Sequence, residues 1–308
     1  SGVTSPINAS KPKPGDPCHT LSTDSRNWVV IPCGAVTYDA RGNGDGYTCS
    51  TITGDHESRI TDYTNVICCI DGDKIGKAEF DFDTKETERT LYFKMPLKDK
   101  IVECNFRMEI MPGLENITTV LPFPGDTKKY FMTTKQMCMP CEGTYKFGDD
   151  VYEFSKENTF CSLDWGRVNT PHKMVWYWGS GSTYLTDENG EKHLFGFEIT
   201  WAIGDESNAT ETCLFYDGKA HKFGAVDVEV FPKPDKYMND WKFISEDGRF
   251  NLTMKPFFDQ HSDMNVGVAR MHTHQVHGLW SGDVTLDDGT KLEIKDLFAF
   301  CEYVENKW

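Results

Sequence analysis

The 308-residue sequence has no apolar run near the roughly 18 to 20 residues that a membrane-spanning helix needs. It is also poor in positive charge, with 32 lysines and arginines against 48 aspartates and glutamates and a formal net charge of -16. Because proteins that neutralise nucleic-acid phosphates need clustered cations, this balance argues against nucleic-acid binding. The polar, proline-rich start lacks the apolar centre of a signal peptide. We therefore expect no membrane span, no uncleaved signal peptide and no nucleic-acid partner.

Signature motifs of the commonest enzyme classes are missing as well. The sequence contains no Rossmann fingerprint, Walker loop, G-x-S-x-G elbow or H-E-x-x-H. The glycine-rich stretch GNGDG at 42–46 is not followed by Lys-Ser/Thr, so it is predicted to be a turn and not a phosphate loop. An enzyme with this sequence is expected to work without a cofactor.

Long amphipathic helices are also missing, whereas short β-rich runs recur from WVVIP at 28–32 to DVTLDDGTKLEI at 283–294. Between the runs stand dipeptides that favour tight hairpin turns, because their residues tolerate positive φ. These dipeptides are Asp71-Gly72, Asn189-Gly190, Asp217-Gly218, Asp247-Gly248 and Asp288-Gly289. Many short strands with explicit turns predict an all-β sandwich or barrel.

Cysteine is plentiful, with eleven residues, but it does not form a complete metal-binding pattern. Cys138 and Cys141 make one C-x-x-C, and no second pair completes a zinc site. Four N-x-Ser/Thr sequons are compatible with secretion, although so short a pattern arises readily by chance. They stand at Asn8, Asn116, Asn208 and Asn251. The prediction is a reducing cytoplasm, with secretion left open by the sequons and the cysteines.

The densest group of chemically active residue types lies in FCSLDWGRVNTPHKMVWYWGSGS at 160–182. An acid, a fixed cation and three indoles occupy fifteen residues of a chain that has only eight tryptophans. They are Asp164, Trp165, Arg167, Trp176 and Trp178. Such a cluster indicates the wall of a binding site, and a buried Asp–Arg pair that stabilises a sheet is the structural alternative.

The second half carries a longer series of motifs in a fixed order. These are MTTKQMCMPCEGTYKFGDDVYEF, FCSLDWGR, WYWGSGS, ETCLFYDGKAHKF, DGRFNLTMKPFFD, HTHQVHGLWSG and ENKW. Over roughly residues 130–308 this series resembles the domain-of-unknown-function family 2804 (DUF2804). One departure follows Arg167, where the chain has Val168-Asn169-Thr170-Pro171 instead of the family's usual continuation, so this loop could contact a different ligand.

The resemblance implies an architecture similar to lipocalin-like proteins of the carotenoid hydratase, tocopherol cyclase and AttH type. We therefore expect an all-β fold of two lipocalin-like antiparallel β-barrel halves packed together, with few short helices. Residues 1–25 are predicted to form a flexible segment. The N-terminal half is expected at 26–125 and the C-terminal half, which carries the family motifs, at 126–308.

The implied function is acid–base chemistry on a small hydrophobic molecule in a Trp-lined pocket. A carboxyl group in an apolar pocket stays protonated more readily and can donate a proton to an alkene or epoxide. The predicted catalytic residues are Asp164, Arg167, Glu211 and His274. The predicted substrate-binding residues are Gln136, Trp165, Trp176, Trp178, Gln275 and Trp280.

The histidine-rich stretch HTHQVH offers a different chemistry. His272 and His274 would share one face of a strand and could ligate a metal ion, but no third ligand can be assigned. A neutral His274 acting as acid, base or hydrogen-bond partner is preferred, and no metal site is predicted.

The function hypothesis is a cofactor-independent hydratase or lyase, cyclase or isomerase for a molecule such as a terpenoid or polyketide. One alternative is a non-catalytic lipocalin-like carrier of a hydrophobic ligand. Another is a carbohydrate-active protein, because tryptophan platforms with paired carboxylates also suit sugars. The sequence does not predict an oligomeric state.

Overall fold

The computed structural model describes residues 76–97, 99–230, 236–267 and 269–307, and seven short strands between residues 22 and 70. Side chains are described from Lys85 onward, except at 96–98, 127, 167, 229–235, 268 and 308. The predicted flexible segment 1–25 therefore lies outside the described residues apart from 22–23, and the predicted turn at Asp71-Gly72 lies outside them entirely.

The described chain is built from antiparallel β-strands. The first fourteen are β1 Ser22–Thr23, β2 Val29–Val30, β3 Ala35–Tyr38, β4 Asn43–Tyr47, β5 Cys49–Thr53, β6 Ser58–Thr61, β7 Ile67–Ile70, β8 Gly76–Thr84, β9 Glu88–Leu97, β10 Lys100–Glu109, β11 Ile117–Phe123, β12 Asp126–Phe147, β13 Asp150–Phe154 and β14 Phe160–Asn169. The rest are β15 Lys173–Thr186, β16 Lys192–Trp201, β17 Cys213–Tyr216, β18 Lys219–Lys222, β19 Val226–Val230, β20 Trp241–Ser245, β21 Phe250–Asn265, β22 Arg270–Thr285 and β23 Lys291–Lys307.

The prediction of an all-β, antiparallel fold is confirmed, and the structure contains two large antiparallel sheets. No helix occurs in the described part of the chain. That part therefore contains no helix that is long and apolar enough to cross a bilayer. The predicted turn at 42–46 is wrong, because Asn43–Tyr47 forms strand β4 and pairs antiparallel with β3. Glycine lowers strand propensity but does not prevent backbone pairing, so the partner strand decided the conformation here.

Residue contacts divide the chain into two compact units. The first contains the chain up to Leu114 together with Met139–Val168, and the second contains Glu115–Cys138 and the chain from Asn169 onward. Strand β12 therefore changes unit between Cys138 and Met139, and Cys138 has a positive φ of 60° at that point. The predicted division into 26–125 and 126–308 stays a prediction.

The first unit is organised around a sheet with the order β3-β4-β14-β12-β10-β9-β8-β7. Strand β10 shows the alternation of a half-buried sheet, because Val102, Cys104, Phe106 and Met108 are buried and the residues between them are more exposed. These side chains belong to a core that also contains residues of β9, β12 and β14.

The second unit contains a sheet with the order β18-β17-β16-β15-β23-β22-β21-β20-β19. One face, called the inner face below, carries a core that includes Phe197, Phe243, Phe250 and Trp280. Phe197 on β16 contacts Phe250 on β21 and Trp280 on β22, with ring centroids 5.4 and 4.9 Å apart. Because other strands separate β16 from β21 and β22, these contacts require a strongly curved sheet.

Tight turns connect neighbouring strands of this sheet as the sequence predicts. Asp217 and Gly218 both have positive φ, of 46° and 83°, between β17 and β18. Gly190, Gly248 and Gly289 also have positive φ in the turns that follow Asn189, Asp247 and Asp288. The four predicted Asx-Gly turns within the described residues are thus confirmed.

The face opposite the inner face, called the outer face, is partly covered by β12 of the same unit. The Cys138 backbone N–H donates to Ser182 Oγ at 3.2 Å, and Ser180 Oγ lies 3.6 Å from the sulfur of Met137. Gly196 makes this close approach possible, because a Cβ there would lie only 2.5 Å from the Cys138 sulfur.

Candidate functional site

Strand register places tryptophan and polar side chains together on the outer face of the second unit. Glu302 lies directly across from Trp178 on one side and from Gln275 on the other. On β15, Trp176 is two residues from Trp178, and on β23, Asn306 is four residues from Glu302, so each pair lies on one side of its strand. Directly opposed residues of antiparallel strands share a face, so all five side chains lie on one side. We call Trp176, Trp178, Gln275, Glu302 and Asn306 the tryptophan face, and all five are buried.

Glu302 lies at the centre of the tryptophan face. Its side chain is fully buried, and each carboxylate oxygen accepts a hydrogen bond from a neutral donor. Trp176 Nε1 donates to Oε1 at 3.0 Å, and Gln275 Nε2 donates to Oε2 at 3.0 Å. The two donors fix the orientation of the carboxyl plane, as an acid–base group requires.

Several buried polar atoms on the outer face have no hydrogen-bond partner among the described residues. They are Gln275 Oε1, both side-chain polar atoms of Asn306, and Oε1 of Gln260, which lies across from Gln275. Buried polar atoms in folded proteins nearly always have a partner. These atoms therefore have the capacity to bind water molecules or the polar group of a ligand.

A buried cation lies against the same face. Lys135 Nζ is 3.5 Å from Glu198 Oε1 and 4.1 Å from the centre of the Trp178 ring. Thr200 Oγ1 donates to the same Glu198 oxygen at 3.4 Å. Lys135 and Glu198 are both buried, so the attraction between their charges is screened much less than at a surface. The Trp178 indole already holds a cation on one face.

Glu211 is buried in the second unit, just before strand β17, which pairs with the edge strand β18. Its negative charge and that of Glu198 both act on Lys222, whose pKa is nevertheless lowered because burial disfavours the charged ammonium group. Lys222 Nζ donates to the backbone oxygen of Thr210 at 2.7 Å. Glu211 thus belongs to the region around Glu198 and Lys222.

Three of the predicted site residues lie on β14 in the first unit. Asp164 is buried there, and Trp165 is half-buried and packs against the core that contains Phe106. The side chain of Arg167 lies outside the described residues. Gln136 is half-buried on β12 in the second unit, between Lys135 and Met137. The roles predicted for these four residues stay predictions.

His274 and Trp280 lie on the inner face of the sheet, whereas Gln275, the neighbour of His274 in the sequence, lies on the outer face. Trp280 is part of the aromatic core, with its ring centroid 4.5 Å from that of Phe243. The Nδ1 atom of His274 lies 2.8 Å from Asp259 Oδ2, and its ring stacks on Tyr237 with centroids 3.7 Å apart. Their predicted roles stay predictions, but the structure does not place these two side chains on the tryptophan face.

Burial changes the acidity of several groups around His274. It raises the pKa of Tyr237, and it raises the pKa of Tyr303, whose hydroxyl also donates a hydrogen bond to Glu305. It lowers the pKa of His272, and the neighbouring His274 adds to this effect. The inner-face tyrosines are therefore weaker acids than usual, and His272 favours its neutral form.

Sequence reasoning did not identify Glu302, Asn306, Asp259 or His261 as functional candidates. A usable signal was present in FAFCEYVENK, where acidic and amide side chains interrupt an apolar strand. A second signal was DQHSD, which alternates acids and a histidine with period two, as HTH does on the next strand. The pairing of these segments, which decides their neighbours, is visible only in the fold.

Comparison with known proteins identifies similar structures at low identity. The structure of CghA is 9% identical, covering 87% of this chain and 81% of that chain with a TM-score of 0.33. The structure of CghA with Sch210972 is 7% identical, covering 84% and 88%, with a TM-score of 0.30. A "putative AttH" from Nitrosomonas europaea is 10% identical, covering 85% and 91%, with a TM-score of 0.33.

A search of curated proteins gave no match. The family described as Domain of unknown function (DUF2804) matches residues 73–308, which is most of the chain and includes the tryptophan face. The chain belongs to the DUF2804 family.

Proposed function

We propose that this protein is an enzyme that applies acid–base chemistry to a small, mainly apolar molecule, and that Glu302 is the proton-transferring group. The reaction class is hydration or elimination, cyclisation, or isomerisation, and none of these requires a cofactor. The observation that carries the proposal is the fully buried Glu302 carboxyl, which Trp176 and Gln275 hold at 3.0 Å each.

The surroundings of Glu302 suit the binding of an apolar molecule. The buried indoles of Trp176 and Trp178 make this face largely apolar, and the face of an indole also stabilises positive charge. Lys135 over the ring of Trp178 is an example of such stabilisation on this face. A cationic transition state formed by protonating an alkene or an epoxide would gain the same kind of stabilisation.

The polar atoms without partners support a substrate that also carries a polar group. Gln275 Oε1 and the Asn306 amide lie on the face that contains Glu302 and have unused hydrogen-bonding capacity. They could orient a hydroxyl or carbonyl group, or hold the water molecule that a hydration consumes. Positioning of this kind lowers the barrier of a reaction between two bound partners.

The carrier alternative is less well supported by the arrangement of side chains. On the inner face, Trp280 packs against Phe197 and Phe243, so aromatic side chains fill this part of the inner face. A buried carboxyl group destabilises the fold unless its hydrogen bonds compensate, and a passive carrier gains nothing from one. The carbohydrate alternative, which depends on Asp164 and Glu211, stays a prediction.

The test combines ligand identification with turnover. The full chain and Glu302→Gln are purified under native conditions, and untargeted mass spectrometry identifies small apolar molecules that co-purify. Those molecules are then incubated with each protein. We expect both proteins to bind the same molecule and only the wild type to convert it, with the rate falling by about 10²- to 10⁴-fold in Glu302→Gln.

Glu293→Gln is the matched control, because Glu293 is an exposed acid on the same strand and forms a surface ion pair with Lys295. It should convert the ligand at the wild-type rate. Recovery of the ligand unchanged from the wild type would favour the carrier, and equal turnover by Glu302→Gln would overturn the role of Glu302. Circular dichroism of each variant confirms that it is folded.

A further inference from the structure

We propose that His261, His272 and His274 form a binding site for a divalent first-row transition metal ion of the zinc class. The site lies on the inner face of the second unit, whereas Glu302 lies on the outer face of the same sheet. The proposed metal site is therefore separate from the proposed function, and its test needs no substrate.

The register of β21 and β22 brings the three histidines together. His272 and His274 are two residues apart on β22, and His261 on β21 lies directly across from His274. The ring centroids of His261 and His274 are 4.2 Å apart, those of His272 and His274 4.9 Å, and those of His261 and His272 5.2 Å. One ring nitrogen from each histidine lies within 4.8 Å of the other two, and side-chain rotation is needed to direct all three nitrogens at one ion.

Hydrogen bonds hold two of the imidazoles in the tautomer that binds metal. His274 Nδ1 lies 2.8 Å from Asp259 Oδ2, and His261 Nδ1 lies 3.2 Å from the backbone oxygen of Thr273. A carbonyl oxygen only accepts, and an ionised carboxylate does the same, so in the neutral form of each imidazole Nδ1 carries the hydrogen and Nε2 keeps its lone pair. Histidine ligands of metal ions are oriented in this way by an oxygen on the far side of the ring.

His272 provides an independent indication that an ion binds at this position. Its Nδ1 atom is buried and has no hydrogen-bond partner within the described part of the chain. The nearest acid is Asp263, whose Oδ2 atom is 3.7 Å away, beyond hydrogen-bond distance. A bound ion would explain why a polar nitrogen is buried at this position without a partner.

The ligand set indicates the class of ion. Three imidazole nitrogens suit zinc, copper, nickel or cobalt, whereas magnesium and calcium prefer oxygen ligands. The carboxylates of Asp259 and Asp263 add negative charge next to a divalent cation. His261 is exposed, so the side of the ion that faces it would remain open to water or to a small ligand.

A second group of possible ligands does not support a metal site in the same way. This group consists of Asp187, Glu191 and His193. Asp187 accepts hydrogen bonds from the backbone N–H groups of Asn189 and Glu191, and His193 pairs with Asp217. These contacts fully explain the positions of Asp187 and His193 as turn-stabilising interactions. His193 therefore serves as the matched control histidine.

The experiment uses the full chain without a histidine tag, freed of metal by chelator dialysis. Isothermal titration calorimetry with zinc chloride should give one site, which His193→Ala and Glu302→Gln retain and which His261→Ala and His272→Ala lose. Asp259→Asn keeps all three histidines and should weaken zinc binding by about 10- to 100-fold. Magnesium chloride should give no binding, and cobalt chloride should give the visible absorption of a site with nitrogen ligands.

Absence of zinc binding by the wild type would overturn the proposal. So would undiminished binding by folded His272→Ala and Asp259→Asn, or loss of the site in His193→Ala alone. Asp259→Asn keeps the test decisive if a histidine variant does not fold. Because Glu302→Gln is expected to bind zinc normally, failure of the metal site and failure of the proposed enzyme role are distinguishable.

Discussion

The indole N–H of Trp176 donates a 3.0 Å hydrogen bond to Glu302, a residue 126 positions later in the sequence. Both side chains are buried, and the bond links the neighbouring strands β15 and β23 on the tryptophan face. The bond therefore ties the local fold of the sheet to the position of the proposed proton-transferring group.

Trp176→Phe should destabilise the fold because it removes this donor and leaves a buried carboxylate oxygen with one hydrogen bond fewer. We expect a loss of about 1 to 3 kcal/mol, measured as the free energy of unfolding in urea. Trp280→Phe is the comparison, because Trp280 Nε1 has no acceptor among the described residues. The prediction fails if Trp280→Phe is the more destabilising of the two.

The sequence predicted part of this arrangement. Trp176, Trp178 and Gln275 were all predicted as substrate-binding residues, and the structure places the three on one face. Glu302 could not be predicted, because its position beside Trp176 depends on the register of β15 and β23. A shift of that register by one residue would place Glu302 on the inner face.

The same reasoning applies to the histidines. Period-two alternation puts His272 and His274 on one face from sequence alone. The third histidine, His261, depends on a register shift in β21 between Pro256 and Phe258. Such an irregularity has no dependable sequence signal, so the sequence indicated two ligands and left the third unassigned.

In the buried pair of Lys135 and Glu198, each charge should need the other, because a buried charge that loses its partner destabilises the fold. Lys135→Met removes the ammonium group that lies 3.5 Å from the fully buried Glu198 carboxylate, which should destabilise the fold by about 3 to 5 kcal/mol. Adding Glu198→Gln should recover part of that loss, and a double-mutant cycle in urea measures the coupling.

An exposed pair provides the control for that cycle. Lys219 and Glu115 are closer, at 2.9 Å, but their side chains are 66% and 45% exposed. Lys219→Met should therefore change the free energy of unfolding by no more than about 1 kcal/mol. Equal effects of the two lysine substitutions would contradict the assignment of Lys135 and Glu198 as a desolvated pair.

The pairing of His193 with Asp217 predicts a dependence of stability on pH. The hydrogen bond to Asp217, at 2.7 Å, is the main cause that raises the pKa of His193 in the folded protein. A folded-state pKa above the unfolded value of about 6.5 stabilises the fold below that pH, and this stabilisation is lost as the pH rises through the folded pKa.

Nuclear magnetic resonance titration of the His193 ring tests this directly. In Asp217→Asn the pKa should return towards its ordinary value, and the associated pH dependence of unfolding should disappear. Asparagine followed by Gly218 still favours the positive φ of this turn, so the hairpin should be retained. An identical His193 pKa in both proteins would show that Asp217 does not control it.

Buried cysteines should be unreactive in the folded protein although their thiols are not joined in disulfides. Cys138 and Cys301 are free thiols and are buried in the second unit. Burial raises the pKa of Cys138 to about 12 and that of Cys301 well above its ordinary value. The thiolate is the reactive form, and at pH 8 a thiol with such a pKa is ionised in only about one molecule in 10⁴.

Alkylation with iodoacetamide followed by peptide mass spectrometry measures this reactivity site by site. Native protein should show neither cysteine modified, and protein unfolded in guanidinium chloride should show both modified. Ser182→Ala removes the hydroxyl that donates to the Cys138 sulfur at 3.7 Å, a contact that lowers the pKa of the thiol against the larger effect of burial. Because burial dominates, Cys138 should stay unreactive in that variant, and rapid native labelling of Cys138 would place its sulfur in contact with solvent.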